Sequence, residues 1–208
     1  MKHAIILAHP RVRSFNGAVA ATYAAALRSF GEDVIERDLY RVAFDPCLKA
    51  EEIPDEKGYQ AAPDVVAERN LLSDVEVFTF VYPLWFNAPP AILKGYVDRI
   101  FSMGFGYEPT FGGTQPRLDG RQLQSFTSSG APDAWVKITG ALEALEAVLD
   151  RHLAAVCGLS VIDHVHFGGV VPDIRADAFD TMLDQVRATA RVRFGPAIVG
   201  GARLRSAT

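Results

Sequence analysis

The sequence predicts an α/β fold: one domain over residues 1–195, built on a five-stranded parallel sheet with helices on both faces, followed by a tail over 196–208. Three observations point there. Strand-like and helix-like segments alternate five times along the chain, the pattern of successive βαβ units with right-handed crossovers. The most strand-like stretch, VEVFTFVYP at 75–83, is β-branched or aromatic almost throughout, which suits a strand covered on both faces. Each strand gives way to a loop of Gly, Ser, Pro or Asn. A chain of 208 residues is ample for one such domain and awkward for two.

The elements follow in order. HAIILA, residues 3–8, is a short apolar run that stops at His-Pro, the look of a buried strand. The alanine-rich FNGAVAATYAAALRSFG closes on Gly31 and predicts a helix. DVIERDLY, 33–40, alternates apolar and polar residues and predicts a second strand nearer the sheet edge. Residues 41–63, with Pro46, Pro54, Gly58 and Pro63, read as a long irregular excursion. PDVVAERNLLSD has helical spacing, and the strand at 75–83 follows it. After Pro89 and Pro90 the apolar residues Leu93, Val97, Ile100 and Phe101 share one helical face, and Asn87 is a candidate cap. A Gly-rich loop spans 104–120, then RQLQSFTSSG predicts the fourth strand. Residues 132–153 predict one helix with Ile138, Leu142, Leu145 and Leu149 on one side. LSVIDHVHFGG predicts the fifth strand, and ADAFDTMLDQVRATARVRF a last amphipathic helix.

Composition narrows the function classes. A net charge of -4 argues against nucleic acid or an anionic membrane surface as the main partner. No run reaches the roughly 20 apolar residues of a membrane span, and the N-terminus lacks the pattern of a signal peptide. Cys47 and Cys157 have no CxxC pairing, so they read as two free thiols in a reducing cytoplasm. His164 and His166 lie two apart and face one side of a strand, but no further metal ligands accompany them. They read as structural, and no metal is expected.

In a parallel sheet, ligands bind beyond the carboxyl ends of the strands. Four loops lie there: HPRVRSFN, YPLWFNAPP, TSSGAPDAW and HFGGVVPDIR. In the first, Ser14, Asn16 and a helix N-terminus beside Arg11 and Arg13 make a seat for a phosphate or diphosphate; Ser14 as a simple helix cap is the equal alternative. This loop is neither a GxGxxG nor a Walker pattern. His9 is a candidate base or a hydrogen-bonded structural residue. The second loop holds Trp85 and Phe86 between prolines, either a platform for a flat heteroaromatic ring or a self-association surface. In the third, Thr127, Ser128, Ser129 and Gly130 form a compact turn whose small residues let backbone N–H groups approach a ring edge. Trp135 beyond it is a lid, a partner contact or core.

SFN after AHP, the block YPLWFNAPPAILKGYVDRIF and the turn TSSGA together resemble the NAD(P)H:quinone oxidoreductases of the flavodoxin-like fold, of the DT-diaphorase type and its bacterial relatives. The resemblance runs over roughly residues 1 to 193. It implies the strand order 2-1-3-4-5 and a homodimer with one flavin per subunit, FAD before FMN. Ser14, Phe15 and Asn16 would hold the flavin phosphates with His9 and Arg11 alongside. Pro83, Leu84, Trp85, Phe86 and Asn87 would line the ring edge, and Thr127, Ser128, Ser129 and Gly130 its pyrimidine end. There are three departures. Trp135 stands at the position of a family tyrosine and Ala141 near a family histidine; Phe86-Asn87 replaces a Trp-Phe pair; and an extra C-terminal segment is missing.

The implied activity is two-electron transfer from NAD(P)H to a quinone-like acceptor, by ping-pong hydride transfer through flavin N5. The Gly130 N–H is the candidate donor to developing charge, and Tyr107 the candidate to stack over the acceptor. A one-electron carrier would need a strongly charged docking face, and -4 spread over 208 residues supplies none. A flavin-binding regulatory subunit of a membrane transporter is the third class, and the sequence carries no motif for or against it.

Overall fold

A computed structural model describes residues 1–53 and 58–196; the expected tail lies outside the described residues except for Pro196. The elements are β1 (Lys2–Leu7), α1 (Phe15–Ser29), β2 (Asp33–Asp38), α2 (Pro63–Leu71), β3 (Val77–Pro83), α3 (Ala91–Ile100), β4 (Tyr107–Thr110), β5 (Gly113–Pro116), β6 (Gln122–Ser128), α4 (Asp133–Ile138), α5 (Ala141–Leu145), α6 (His152–Cys157), β7 (Ser160–Phe167) and α7 (Ala176–Phe194). A π-helical segment, Glu146–Arg151, joins α5 to α6. The main sheet is parallel, ordered β2-β1-β3-β6-β7, and β4-β5 form a separate antiparallel hairpin. With the hairpin set aside this is the 2-1-3-4-5 order expected.

Strand β3 is central because it can be dry on both sides. All seven of its residues are buried, and each large apolar side chain so covered contributes about 1.5–3 kcal/mol. Alternation sends Phe78, Phe80 and Tyr82 to one core with α2, α3, α5 and α6. Val81 goes to the other, with Val19, Tyr23 and Leu27 of α1 and Leu183 and Val186 of α7. Strand β2, the alternating one, sits at the edge as its pattern implied.

Four local expectations fail for identifiable reasons. The Gly-rich stretch 104–120 is not only loop, since Tyr107 pairs with Pro116 and Thr110 with Gly113 in the hairpin. The single helix expected over 132–153 breaks at Gly140, whose φ of +69° is left-handed, so the chain restarts in a new direction. Ile138 therefore leaves the apolar face and is exposed. Asn87 does not cap α3; Pro90 holds the N-cap position, and the Asn87 amide donates to the Ala141 carbonyl at 2.9 Å. Cys47 and Cys157 are free, as expected, with Cys47 exposed and Cys157 buried.

The irregular excursion after β2 is fastened by Arg99 of α3. Its guanidinium is fully buried and takes Glu52 through Nε at 2.9 Å, Asp64 through Nη1 at 2.7 Å and the Asp45 carbonyl at 2.6 Å. The Glu52 and Arg99 side chains are 2% and 1% exposed, so neither charge has water as an alternative partner. Gly95, one turn earlier, lets the excursion lie against α3: a Cβ there would stand 2.2 Å from the Pro46 carbonyl oxygen. Replacing Arg99 by Met strands the Glu52 carboxylate and is expected to cost about 3–5 kcal/mol in urea denaturation. A cost under about 1 kcal/mol, the range of exposed pairs, would contradict this account.

Candidate active site

The parallel register brings the four loops singled out in the sequence to one edge, where they enclose a cleft of about 490 Å³. His9, Arg11, Ser14, Phe15 and Asn16 line it from the first loop; Pro83, Leu84 and Trp85 from the second; and Ser128, Ser129 and Gly130 from the third. The fourth loop adds Val170, Val171, Pro172 and Ile174, with Phe179 from α7.

At one end stands the start of α1. Ser14 is extended, and its Oγ accepts from the Gly17 N–H at 3.0 Å, so the capping reading is correct. The Phe15 and Asn16 N–H groups come before the first intrahelical bond and point outward from the helix end. The Phe15 ring packs edge-on against Phe167 and Phe179, which anchors this turn. Asn16 is buried, and its Oδ1 accepts from the Ser128 hydroxyl at 3.0 Å. That bond ties the first and third walls together. Arg11 and Arg13 are exposed on the rim, and no acidic side chain is among the described residues lining the cleft. A helix N-terminus with two arginines and no carboxylate favours an anion.

The middle wall is the end of β3 and a tight turn. Trp85 and Ala88 exchange both backbone hydrogen bonds, at 3.0 and 3.1 Å. Between them Phe86 and Asn87 have φ of +51° and +56°, values costly for residues other than glycine and common at functional loops. The turn leaves Trp85 half-exposed on the cleft, 6.0 Å between ring centroids from His9. Nδ1 of His9 accepts from the Arg11 N–H at 3.1 Å, and burial lowers its pKa. It therefore presents a neutral ring that shapes the first loop.

At the other end, the Ser129 N–H donates to the Phe167 carbonyl. The Gly130 N–H has no partner among the described residues, and Gly130 lines the cleft. Gly168 lets α4 start close by, because a Cβ there would lie 2.2 Å from the Asp133 nitrogen.

Five expected site residues stand outside this cleft. Phe86 points fully into solvent. Asn87 is engaged with Ala141. Thr127 is wholly buried behind the turn, within 2.9 Å of both His164 and His166. Tyr107 belongs to the hairpin and lines a different depression with Phe101, Val148 and His152. Its expected role over an acceptor is not met within one chain, because the hairpin lies on the α3 side of the sheet. Trp135, on α4, is more than half exposed and does not line the cleft either.

Two features carry no local signal. Val170 and Ile174 of the fourth loop belong to no motif. His164 and His166 show their shared strand face by spacing, but nothing nearby in the chain identifies what they touch. Their partners, Thr127, Ser129 and Asp150, come from elements remote in sequence. No group of three or more metal-ligating side chains occurs among the described residues.

Over residues 1–190 the chain matches the family described as having a flavodoxin-like fold. It is 35% identical over 171 residues to an uncharacterized NAD(P)H oxidoreductase of Haemophilus influenzae, covering 82% of this chain and 85% of that protein. It is 27% identical over 199 residues to NAD(P)H dehydrogenase (quinone) 1 of Rattus norvegicus, covering 85% and 73% respectively. Among solved structures, NAD(P)H:quinone oxidoreductase from Methanothermobacter marburgensis superimposes with a TM-score of 0.81 at 29% identity, over 92% of this chain and 96% of that one.

Burial holds the pKa of His166 down at about 4, against an ordinary 6.5. The unfolded chain thus takes up this proton first. The stabilising difference is complete above about pH 6.5 and is lost as the pH falls toward 4. Thermal melts of His166→Gln are expected to show a flatter dependence over that window than the parent chain. An identical dependence would contradict the burial of this ring.

Proposed function

We propose that this chain, which belongs to the flavodoxin-like fold family, is a flavin-dependent NAD(P)H:quinone oxidoreductase that works as a homodimer. The observation that carries the reading is the cleft's two-ended chemistry. An anion seat at the α1 N-terminus and a half-exposed Trp85 with a free Gly130 N–H line one continuous space. A phosphate-bearing heteroaromatic cofactor has those two ends, so the residues present fit a flavin. The relatives' names, oxidoreductase and quinone dehydrogenase, supply the reaction class.

A bound flavin supplies reversible hydride acceptance at its N5. The residues of this chain do the rest. Ser14 keeps the first turn of α1 open toward the phosphates, and Arg11 and Arg13 supply countercharge; FAD is the favoured form. Trp85 gives the ring a flat apolar edge. The Gly130 N–H would donate to the polar edge of the ring, as a preorganised dipole. Nicotinamide and acceptor occupy the remaining space in turn, so double-reciprocal plots at varied acceptor are expected to be parallel. The acceptor is a quinone-class compound, and either NADH or NADPH serves as the electron source.

The dimer part of the reading rests on apolar side chains that no chain covers. Phe86, Phe111 and Ile138 are almost fully exposed, and Trp135 more than half. Exposed aromatics of this size are typical of interfaces. Light scattering is expected to give twice the chain mass of 22.6 kDa, and a monomer at micromolar concentration would remove this part of the proposal.

The main test is a visible spectrum after flavin reconstitution, followed by anaerobic NADPH and then a simple quinone. Yellow colour, bleaching by NADPH and recolouring by quinone are the expected sequence. Failure to retain any flavin would overturn the reading. Arg13→Ala should weaken flavin retention about tenfold or more, the value of one charge-assisted hydrogen bond. Unchanged retention in the Arg11→Ala, Arg13→Ala pair would move the phosphates elsewhere.

A further inference from the structure

Behind the third loop a continuous line of side chains crosses the sheet on its α5–α6 face. Asp150, in the π-helical segment, receives the Ser125 hydroxyl at 2.9 Å and pairs with His164 Nδ1. His164 Nε2 lies 2.9 Å from the Thr127 hydroxyl, and Thr127 lies 2.9 Å from His166 Nδ1. His166 Nε2 is 3.1 Å from the Ser129 hydroxyl, which has a second acceptor in the Ala131 carbonyl at 3.0 Å. Asp150 and Thr127 are fully buried, the His164 side chain is 4% exposed, and Ser129 lines the cleft. The spacing follows from strand geometry. Residues 125 and 127 on β6, with 129 just past its end, and 164 and 166 on β7 lie on the same face.

We propose that Ser129, Thr127, His166 and His164 form a proton wire that carries a proton between the cleft and a store on His164 beside Asp150, an inference that rests on the oxidoreductase reading above. Each hydroxyl has one hydrogen to give and each imidazole nitrogen can donate or accept, so the line of bonds can run in two opposite directions. In the empty wire, His164 Nδ1–H donates to Asp150, Thr127 donates to His164 Nε2, His166 Nδ1–H donates to Thr127, and Ser129 donates to His166 Nε2. In the loaded wire every bond between these groups is reversed. His164 carries both N–H groups, Thr127 donates to His166 Nδ1, His166 Nε2–H donates to Ser129, and Ser129 turns to the Ala131 carbonyl. The two states differ by one proton, and the reversible Ser129 hydroxyl is the end that faces the cleft.

Reduction of a quinone by NAD(P)H consumes that one proton: NAD(P)H + H⁺ + quinone gives NAD(P)⁺ + hydroquinone. The hydride carries both electrons. As an oxygen anion develops at the Ser129 end of the cleft, the Ser129 O–H bond breaks and the new O–H bond forms. Ser129 then takes the His166 Nε2 proton, His166 takes the Thr127 proton at Nδ1, and Thr127 takes the His164 Nε2 proton. His164 is left neutral against Asp150, and solvent reloads the wire.

The two histidines have different neighbours. His164 pairs with the Asp150 carboxylate through Nδ1, and its backbone N–H donates to Asp163. His166 is held neutral by burial, with Lys137 of α4 and His164 adding to that effect and Asp133 opposing it. Burial pushes the Tyr82 hydroxyl's pKa up, and the negative charges of Asp150 and Glu146 add to that effect. These four wire residues are positioning groups, apart from Ser129, which reaches the cleft itself.

The test is histidine ¹⁵N NMR of the purified full chain, titrated between about pH 5 and 8. The expected result is that His166 switches from the Nδ1–H to the Nε2–H tautomer at the same midpoint at which His164 gains its second N–H. Thr127→Val should uncouple the two events, and Thr127→Ser should restore them. One His166 tautomer throughout, separate midpoints, or coupling that survives Thr127→Val would overturn the wire. On the flavin-loaded protein, Thr127→Val should lower kcat toward the acceptor about 10²-fold, the usual worth of positioned proton transfer, with KM for NAD(P)H nearly unchanged. A chain that binds no flavin fails the functional proposal yet still answers the NMR question, so the two failures are distinguishable.

Discussion

Parallel pairing in register is the constraint from which the rest of the molecule follows. Leu7 pairs with Val81, Val81 with Phe126, and Phe126 with Val165, so four strands end on one line. Backbone hydrogen bonds continue past those ends like a staircase: Ala8 N–H to the Val81 carbonyl at 3.0 Å, Leu84 to Ser128 at 2.7 Å, and Ser129 to Phe167 at 2.9 Å. Each loop thus begins from a fixed height and direction. A register slip of one residue would turn every side chain to the other face, exchanging Thr127 with Phe126 and emptying both cores.

The two faces of the sheet are unequal, and function divides along that inequality. The α1–α7 face packs Ile5, Val81, Phe126 and Val165 against α1 and α7 beside the buried Thr79 and Gln124, and it holds the α1 N-terminus in place at the cleft. The α5–α6 face accommodates a polar seam, Ser125, Thr127, His164, His166 and Asp150, inside an otherwise apolar core. Buried polar groups are costly unless every bond is filled. Here the π-helical segment sets Asp150 where the seam needs an acceptor. Wide π turns inside helices often mark functional positions, and this one faces the seam.

Much of this was legible in the chain. The parallel sheet covered by helices on both faces and three of the four cleft walls follow from periodicity, from proline and glycine placement, and from the YPLWFNAPP and TSSGA segments, while the strand order followed from the family resemblance. Gly140 shows where legibility ended. It lies inside the segment whose spacing predicts one helix, and only its left-handed backbone reveals that the helix stops there. Asn87 read as a cap by residue type, yet the prolines after it moved the helix start to Pro90 and freed the amide for Ala141. His164 and His166 had the right spacing, but Asp150 and Thr127 reach them from 14 and 37 residues away, and no local pattern encodes such a meeting. Phe86 sits on its exposed loop as expected, but its ring faces solvent and not the cleft, which leaves it to the self-association alternative.

The central claim is that the anion seat at Ser14–Asn16 and the Trp85–Gly130 wall are two ends of one flavin site. A crystal structure of the chain soaked or grown with FAD tests it most directly. The account predicts the phosphates on the Phe15 and Asn16 N–H groups beside Arg11 and Arg13, with the ring system against Trp85 and its polar edge at Gly130. Flavin bound in the opposite direction, or in a different cleft, would contradict it.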